Sequence, residues 1–199
     1  MRAAIEGDMP RRQPPFGPRH TRALPALWLF TDERVAKEAL MRAIARLPRG
    51  SGVVFRHYGL EREARAAVRE QIAALARRHG LILLEAGERL GRRGNGVHHS
   101  SHYSRRVCAA GQRDLVSASA HSMRELAAAH RAGADLVFVS PVFPTRSHPG
   151  GRTLGLWGFA ALARQARCPV IALGGMNTAH FRRLKPLGAH GWAAIDALI

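Results

Sequence analysis

Gly174-Gly175, between the apolar run Val170 to Leu173 and Asn177, is the stretch of this chain best fitted to hold an anion. Freed of side chains, its backbone amides can wrap a phosphate where a helix begins. A plain tight turn is the other use of the same pair. Ser119 and His121 end a second apolar stretch, in the sequence Ser117-Ala-Ser-Ala-His121. An imidazole there can act as a general acid or base near neutral pH, or can simply bond the start of the next helix. Arg56 closes a third run, Gly52-Val-Val-Phe, and its planar fork suits an anionic substrate. Thr145-Arg-Ser-His148 with Pro149-Gly-Gly151 is a donor-rich loop that could close over phosphates or stay solvated. His98, His99 and His102 carry ligand-type side chains, but their spacing matches no strong zinc pattern. On a strand, His98 and His99 would face opposite ways.

Each of these groups follows a short apolar run, and the runs lack the alternation of a half-exposed strand. Continuous hydrophobicity of this kind means burial on both faces, as in a parallel sheet. Strands are expected at Ala26–Phe30, Gly52–Arg56, Leu81–Leu84, Gly96–His98, Leu115–Ala118, Leu136–Val139, Val170–Leu173 and Gly191–Ile195. Between them lie helical stretches at Val35–Leu47, Glu61–Arg78, Arg105–Ala110 and Ala179–Pro186. Ser122-Met-Arg-Glu125 reads as a capping box opening a further helix. A helix end, a glycine and a strand start recur at Gly80, Gly133 and Gly188. Strand–helix units repeated in this order predict an α/β fold, a compact (β/α)8 (TIM) barrel whose last helix is missing because the chain ends at Ile199. A doubly wound open sheet is the runner-up, although no Gly-x-Gly-x-x-Gly follows the first strand.

Within the 199 residues, positions 1–24 are rich in proline and arginine without periodicity and are expected to form a flexible basic arm, leaving 25–199 as one barrel domain. No apolar run is long enough for a membrane helix, and no signal-peptide core is visible, which predicts a cytoplasmic protein with no membrane partner. Cys108 and Cys168 are expected to be reduced thiols rather than a disulfide framework. The net charge of +17 raises affinity for phosphates in general. Its arginines (Arg62, Arg65, Arg69, Arg77, Arg78) alternate with glutamates on helix faces, however, and no aromatic platform accompanies them. The charge therefore reads as a solvated surface rather than a specific nucleic-acid site.

From about Gly96 to Ala197, the chain resembles the thiamine phosphate synthase/TenI family. The resemblance rests on Ser119-Ala-His121, Gly133-Ala-Asp-Leu-Val, Pro141-Val-Phe-Pro-Thr145 and Pro169-Val-Ile-Ala-Leu-Gly-Gly175. It implies a (β/α)8 barrel that joins a hydroxymethylpyrimidine pyrophosphate to a thiazole phosphate with magnesium, so its small-molecule partners would be those two phosphorylated substrates. Gly174 and Gly175 would hold the thiazole phosphate, while Ser119, Arg56 and Thr145 would face the pyrophosphate. Several family positions differ. Leu84-Glu85-Ala86-Gly87 stands where an Asn-Asp pair is expected, leaving Glu85 as the one metal carboxylate. Tyr103 stands for a second aspartate, Tyr58 and His148 for lysines, and Asp196 for a serine beside the phosphate. The TenI branch, which shifts a proton on the thiazole carboxylate phosphate without that metal, would use His121 as its acid/base group. Three functions follow: a synthase with a degenerate magnesium site, a thiazole tautomerase, and a non-catalytic phosphate-binding or regulatory barrel.

Overall fold

The computed structural model describes residues 23–87, 90, 94–100, 114–146 and 150–199. Eight strands are parallel throughout and close into a barrel in sequence order. They are β1 (Leu27–Phe30), β2 (Gly52–Phe55), β3 (Ile82–Ala86), β4 (Gly96–His99), β5 (Leu115–Ala120), β6 (Leu136–Val139), β7 (Val170–Ala172) and β8 (Ala189–Ala194). The described helices are α1 (Lys37–Arg46), α2 (Arg62–His79), α3 (Met123–Arg131), α4 (Gly155–Gln165) and α5 (Thr178–Leu184). After β8 the described chain makes a 3-10 turn, Asp196–Leu198. The barrel is therefore the expected one, and the open sheet is excluded by the β1–β8 pairing. The helix expected at 105–110, Cys108 and most of the basic arm lie outside the described residues.

Strand residues alternate between two apolar environments. Trp28, Phe30, Val54, Ile82, Leu84, Leu115, Leu136, Phe138 and Ile171 fill the interior. Leu29, Val53, Phe55 and Leu83 pack outward against α1 and α2, and Val137, Val139, Val170 and Ala172 against α3 to α5. Gly52 exists for this filling: a Cβ there would lie 2.1 Å from the Trp28 ring. Gly80 and Gly188 end their helical segments with φ of 65° and 101°, as the recurring junction predicts. Ser122 caps α3 by accepting from the Glu125 amide, while the Glu125 carboxylate accepts from the amide of His121, one residue before the cap.

Not all the α2 arginines are solvated, contrary to the sequence reading. Arg65 and Arg69 are 6% and 0% exposed, on the face of α2 that packs on β2 and β3. Arg65 donates to the Ala86 carbonyl at 2.6 Å, and Arg69 meets Glu85 at 2.6 Å. Cys168 is a free thiol, and burial, with Asp135 nearby, pushes its pKa up to about 12. Among the described residues, no helix is long and apolar enough to cross a membrane.

Candidate functional site

A cavity of about 810 Å³ opens where the strands end at their C-termini, as is usual for barrel sites. Its floor is aromatic. Phe30, His98 and Phe138 meet edge to face, with ring centroids 4.8 to 5.4 Å apart. Arg56, from the turn after β2, lies over the Phe30 ring at 5.3 Å. Its Nε donates to the Thr31 carbonyl at 3.1 Å, and its Nη2 stands 3.8 Å from Asp32. Burial lowers the Arg56 pKa and Asp32 opposes that shift. Arg34, not Arg56, holds Asp32: two contacts of 2.9 and 2.6 Å bring its pKa down to about 2.

His98 and Ser119 both reach the cavity because inward positions on β4 and β5 recur every second residue. His98 Nδ1 is 2.9 Å from Ser117 Oγ, and His98 Nε2 is 3.1 Å from Ser119 Oγ. Burial, reinforced by Arg56 and His99, drops the His98 pKa to about 3, so the ring is neutral under ordinary conditions. His121 sits at the rim, where its Nδ1–H donates to the Ser140 carbonyl. A carbonyl can only accept, so the neutral ring keeps its lone pair on Nε2.

Across the loop after β6 from His121, at the end of β7, lies the glycine pair. Gly174 and Gly175 have φ of 91° and 60°, and both line the cavity. A Cβ on Gly174 would lie 2.7 Å from Pro141 Cα, and one on Gly175 would lie 2.4 Å from the Pro144 carbonyl oxygen. The loop after β6 is stitched onto this turn by Val142 N to Leu173 O and Phe143 N to Gly174 O, at 2.9 and 3.0 Å. His180, stacked on Phe143, is 2.7 Å from the Gly175 carbonyl through Nδ1. Thr145 and Arg146 line the cavity from the same loop, and Arg146 pairs with Asp196 at 3.0 Å across its mouth. The Asp196 carboxylate is thus directed at a guanidinium, which removes the repulsion expected if it faced a phosphate.

The structure brings together Arg56, Ser119, His121, Thr145, Gly174 and Gly175. His148 and Tyr103 lie outside the described residues. Glu85 is placed elsewhere: it is 0% exposed, it points outward from β3, and it accepts from Arg69 at 2.6 and 3.1 Å and from the Leu90 amide at 3.0 Å. Its neighbours Leu84 and Ala86 are the residues that face the barrel interior. Among the described residues, no three His, Cys, Asp or Glu side chains converge on a metal position. The carboxylates lining the cavity, Glu125 and Asp196, are engaged by the His121 amide and Arg146. Among the described residues, this donor set does not fit magnesium, which needs several free oxygens in near-octahedral array.

Sequence reasoning missed Ser117 as a site residue and weighed His98 only as a metal ligand. The available signal was parity: Ser117 and Ser119 share a face two residues apart, and Ser117 pairs in register with His98.

A family model described as thiamine monophosphate synthase matches residues 27–198. A putative thiamine-phosphate synthase 2 from Aquifex aeolicus is 28% identical over 184 residues, covering 88% of this chain and 98% of that protein. A thiamine-phosphate synthase from Pyrococcus furiosus is 33% identical over 85 residues, and this stretch spans only 41% of that relative's length. Among solved structures, a thiamine phosphate pyrophosphorylase from Pyrococcus furiosus superposes with a TM-score of 0.70 at 22% identity, covering 86% of this chain and 85% of that one. That last likeness is one of fold.

Proposed function

Because the chain belongs to the thiamine monophosphate synthase family, we propose that its cavity binds a thiazole phosphate and joins it to a hydroxymethylpyrimidine pyrophosphate. The observation that carries this reading is convergence. A guanidinium after β2, a hydroxyl and an imidazole at the end of β5 and a Gly-Gly turn after β7 meet in one cavity large enough for both ring systems. In the reaction, the bond from the pyrimidine methylene carbon to the pyrophosphate oxygen breaks and the thiazole nitrogen forms a new bond to that carbon. Pyrophosphate leaves with the electron pair. Gly174 and Gly175 would seat the thiazole phosphate. Arg56 and Thr145, with His148 three residues further along the sequence, would offset charge building on the leaving group. Ser119 would orient a substrate beside them.

The geometry of His121 favours a second reading, a thiazole tautomerase. Its Nδ1 is tied to Ser140, which orients Nε2 as a proton acceptor at the rim.

One mass-spectrometric time course separates these readings. The protein receives the pyrimidine pyrophosphate with thiazole phosphate, and separately each tautomer of the thiazole carboxylate phosphate, each with magnesium and with chelator. Thiamine phosphate above the blank supports the synthase. Tautomer interconversion alone supports the second reading. Silence in both refutes catalysis on these substrates and leaves a phosphate-binding barrel.

A further inference from the structure

The deep wall of the cavity holds a hydrogen-bonded chain, Val97 carbonyl, Ser117, His98, Ser119, whose protons can be counted. Ser117 is fully buried, and its Oγ lies 3.3 Å from the Val97 carbonyl oxygen, which can only accept. A hydroxyl has one proton, and that contact takes it. Ser117 Oγ must then accept from His98 Nδ1–H across 2.9 Å. Burial keeps this ring neutral, so its other nitrogen, Nε2, carries a lone pair. Ser119 must supply the proton across the remaining 3.1 Å, and its oxygen turns only lone pairs to the cavity.

We infer that Ser117 is a positioning residue that locks His98 in the Nδ1–H tautomer and thereby makes Ser119 a hydrogen-bond acceptor toward the ligand. The consequence for specificity is direct. Ser119 would recognise an N–H or O–H donor, such as the exocyclic amine of an aminopyrimidine, and not the oxygens of a pyrophosphate. This assignment rests on the synthase reading only in naming the aminopyrimidine. The reverse chain, with Ser117 donating to Nδ1, would leave the Ser119 proton facing the cavity and select anions. The two arrangements therefore have opposite ligand preferences.

The test is side-chain nitrogen NMR on the full chain, with the His98 signals assigned by their loss in His98→Asn. The expected result is a pyrrole-type shift at Nδ1 and a pyridine-type shift at Nε2. The opposite pattern in the wild type overturns the proposal and requires no substrate. Ser117→Ala removes only a hydroxyl and should move the ring toward the Nε2–H tautomer. An unmoved tautomer overturns the role of Ser117. Shift titrations with 4-aminopyrimidine, pyrimidine and inorganic pyrophosphate then read the cavity side. The wild type should bind 4-aminopyrimidine about fivefold more tightly than pyrimidine, one net hydrogen bond. Ser119→Ala should erase that preference and leave pyrophosphate unaffected, while Ser117→Ala should weaken the amine and strengthen pyrophosphate. Equal affinity for the two bases, or a Ser119→Ala variant that loses pyrophosphate instead, overturns the acceptor assignment. Failure of the synthase time course alongside the expected tautomer would count against the reaction and not against this chain.

Discussion

Replacing Glu85 by alanine should destabilise the barrel and leave its response to magnesium unchanged. The carboxylate is 0% exposed and bonds Arg69, itself 0% exposed, at 2.6 and 3.1 Å in the layer between β3 and α2. Removing one partner of a buried pair strands the other charge, which costs about 3 to 5 kcal/mol. The lower end applies, because Arg69 keeps Glu70 at 2.6 Å on the solvent side, even though the Leu90 amide loses its acceptor. About 3 kcal/mol corresponds to a melting point roughly 6 to 12 °C lower for a chain of this size. Urea unfolding of parent and variant at equal slope would measure it. The double variant Arg69→Met/Glu85→Leu should recover most of the loss, since a matched apolar pair needs no desolvated charge. A stability change below about 0.5 kcal/mol, well under that of a broken buried pair, coupled with a lost magnesium effect, would refute the structural assignment and restore Glu85 as a ligand.

His98 should make the fold acid-sensitive above the range where carboxylates titrate. Its pKa falls from 6.5 to about 3 on folding, so the unfolded chain takes up the proton first and stability declines as pH drops from 6.5 toward 3. Between about pH 7.5 and 4.5 this one ring accounts for roughly 2 to 3 kcal/mol, and His98→Gln should flatten the pH dependence of urea unfolding by that order; parallel curves would contradict a buried neutral ring. Gly175→Ala should cost about 1 to 3 kcal/mol, because its Cβ would enter the Pro144 carbonyl and φ is 60°. Calorimetry should show weaker thiazole phosphate binding as well, and unchanged stability would mean that the loop is not wedged on the turn. Arg34→Ala should leave Asp32 to pair with Arg56 and weaken anion binding severalfold at low salt; unaltered pyrophosphate affinity by titration would show that Arg34 does not govern that charge.

The fold was legible because parallel strands covered on both sides read as unbroken apolar runs, and Val170 to Ala172 and Leu136 to Val139 are such runs. The same continuity hides which residue faces inward. Nothing local in Leu84-Glu85-Ala86 says that the carboxylate points out, toward a helix sixteen residues earlier, and not into the barrel. Arg65 and Arg69 were obscured for the matching reason: a charge on the inner face of α2 looks solvated until its partner on β3 is in place. The strand-end position of Ser119, His121, Arg56 and the glycine pair was readable, since it depends only on where apolar runs stop. Ser117 was not singled out, because a serine inside a strand signals nothing until the histidine across the ladder is known to face it.

The glycine pair shows how a residue type can answer two demands at once. Read as sequence, Gly174-Gly175 is a phosphate turn. In the fold, the space a Cβ would need is occupied by Pro141, Phe143 and Pro144, so packing alone would require glycine at both positions. The anion binding proposed for this cavity would therefore come from charge, and pairing sets that charge more than composition does. Asp32 is drawn to Arg34 at 2.6 Å and stands 3.8 Å from Arg56. Asp196 is drawn to Arg146, and Glu125 to a backbone amide. With these carboxylates engaged elsewhere and His98 neutral beside Phe30, Arg56 supplies the half-buried positive charge on the cavity wall. A net charge of +17 did not predict that, because a total does not say which charges water screens and which are held at a cavity wall. One guanidinium held over an aromatic ring, with its nearest counter-ion drawn toward Arg34, acts on a ligand at contact distance in a medium that screens it far less.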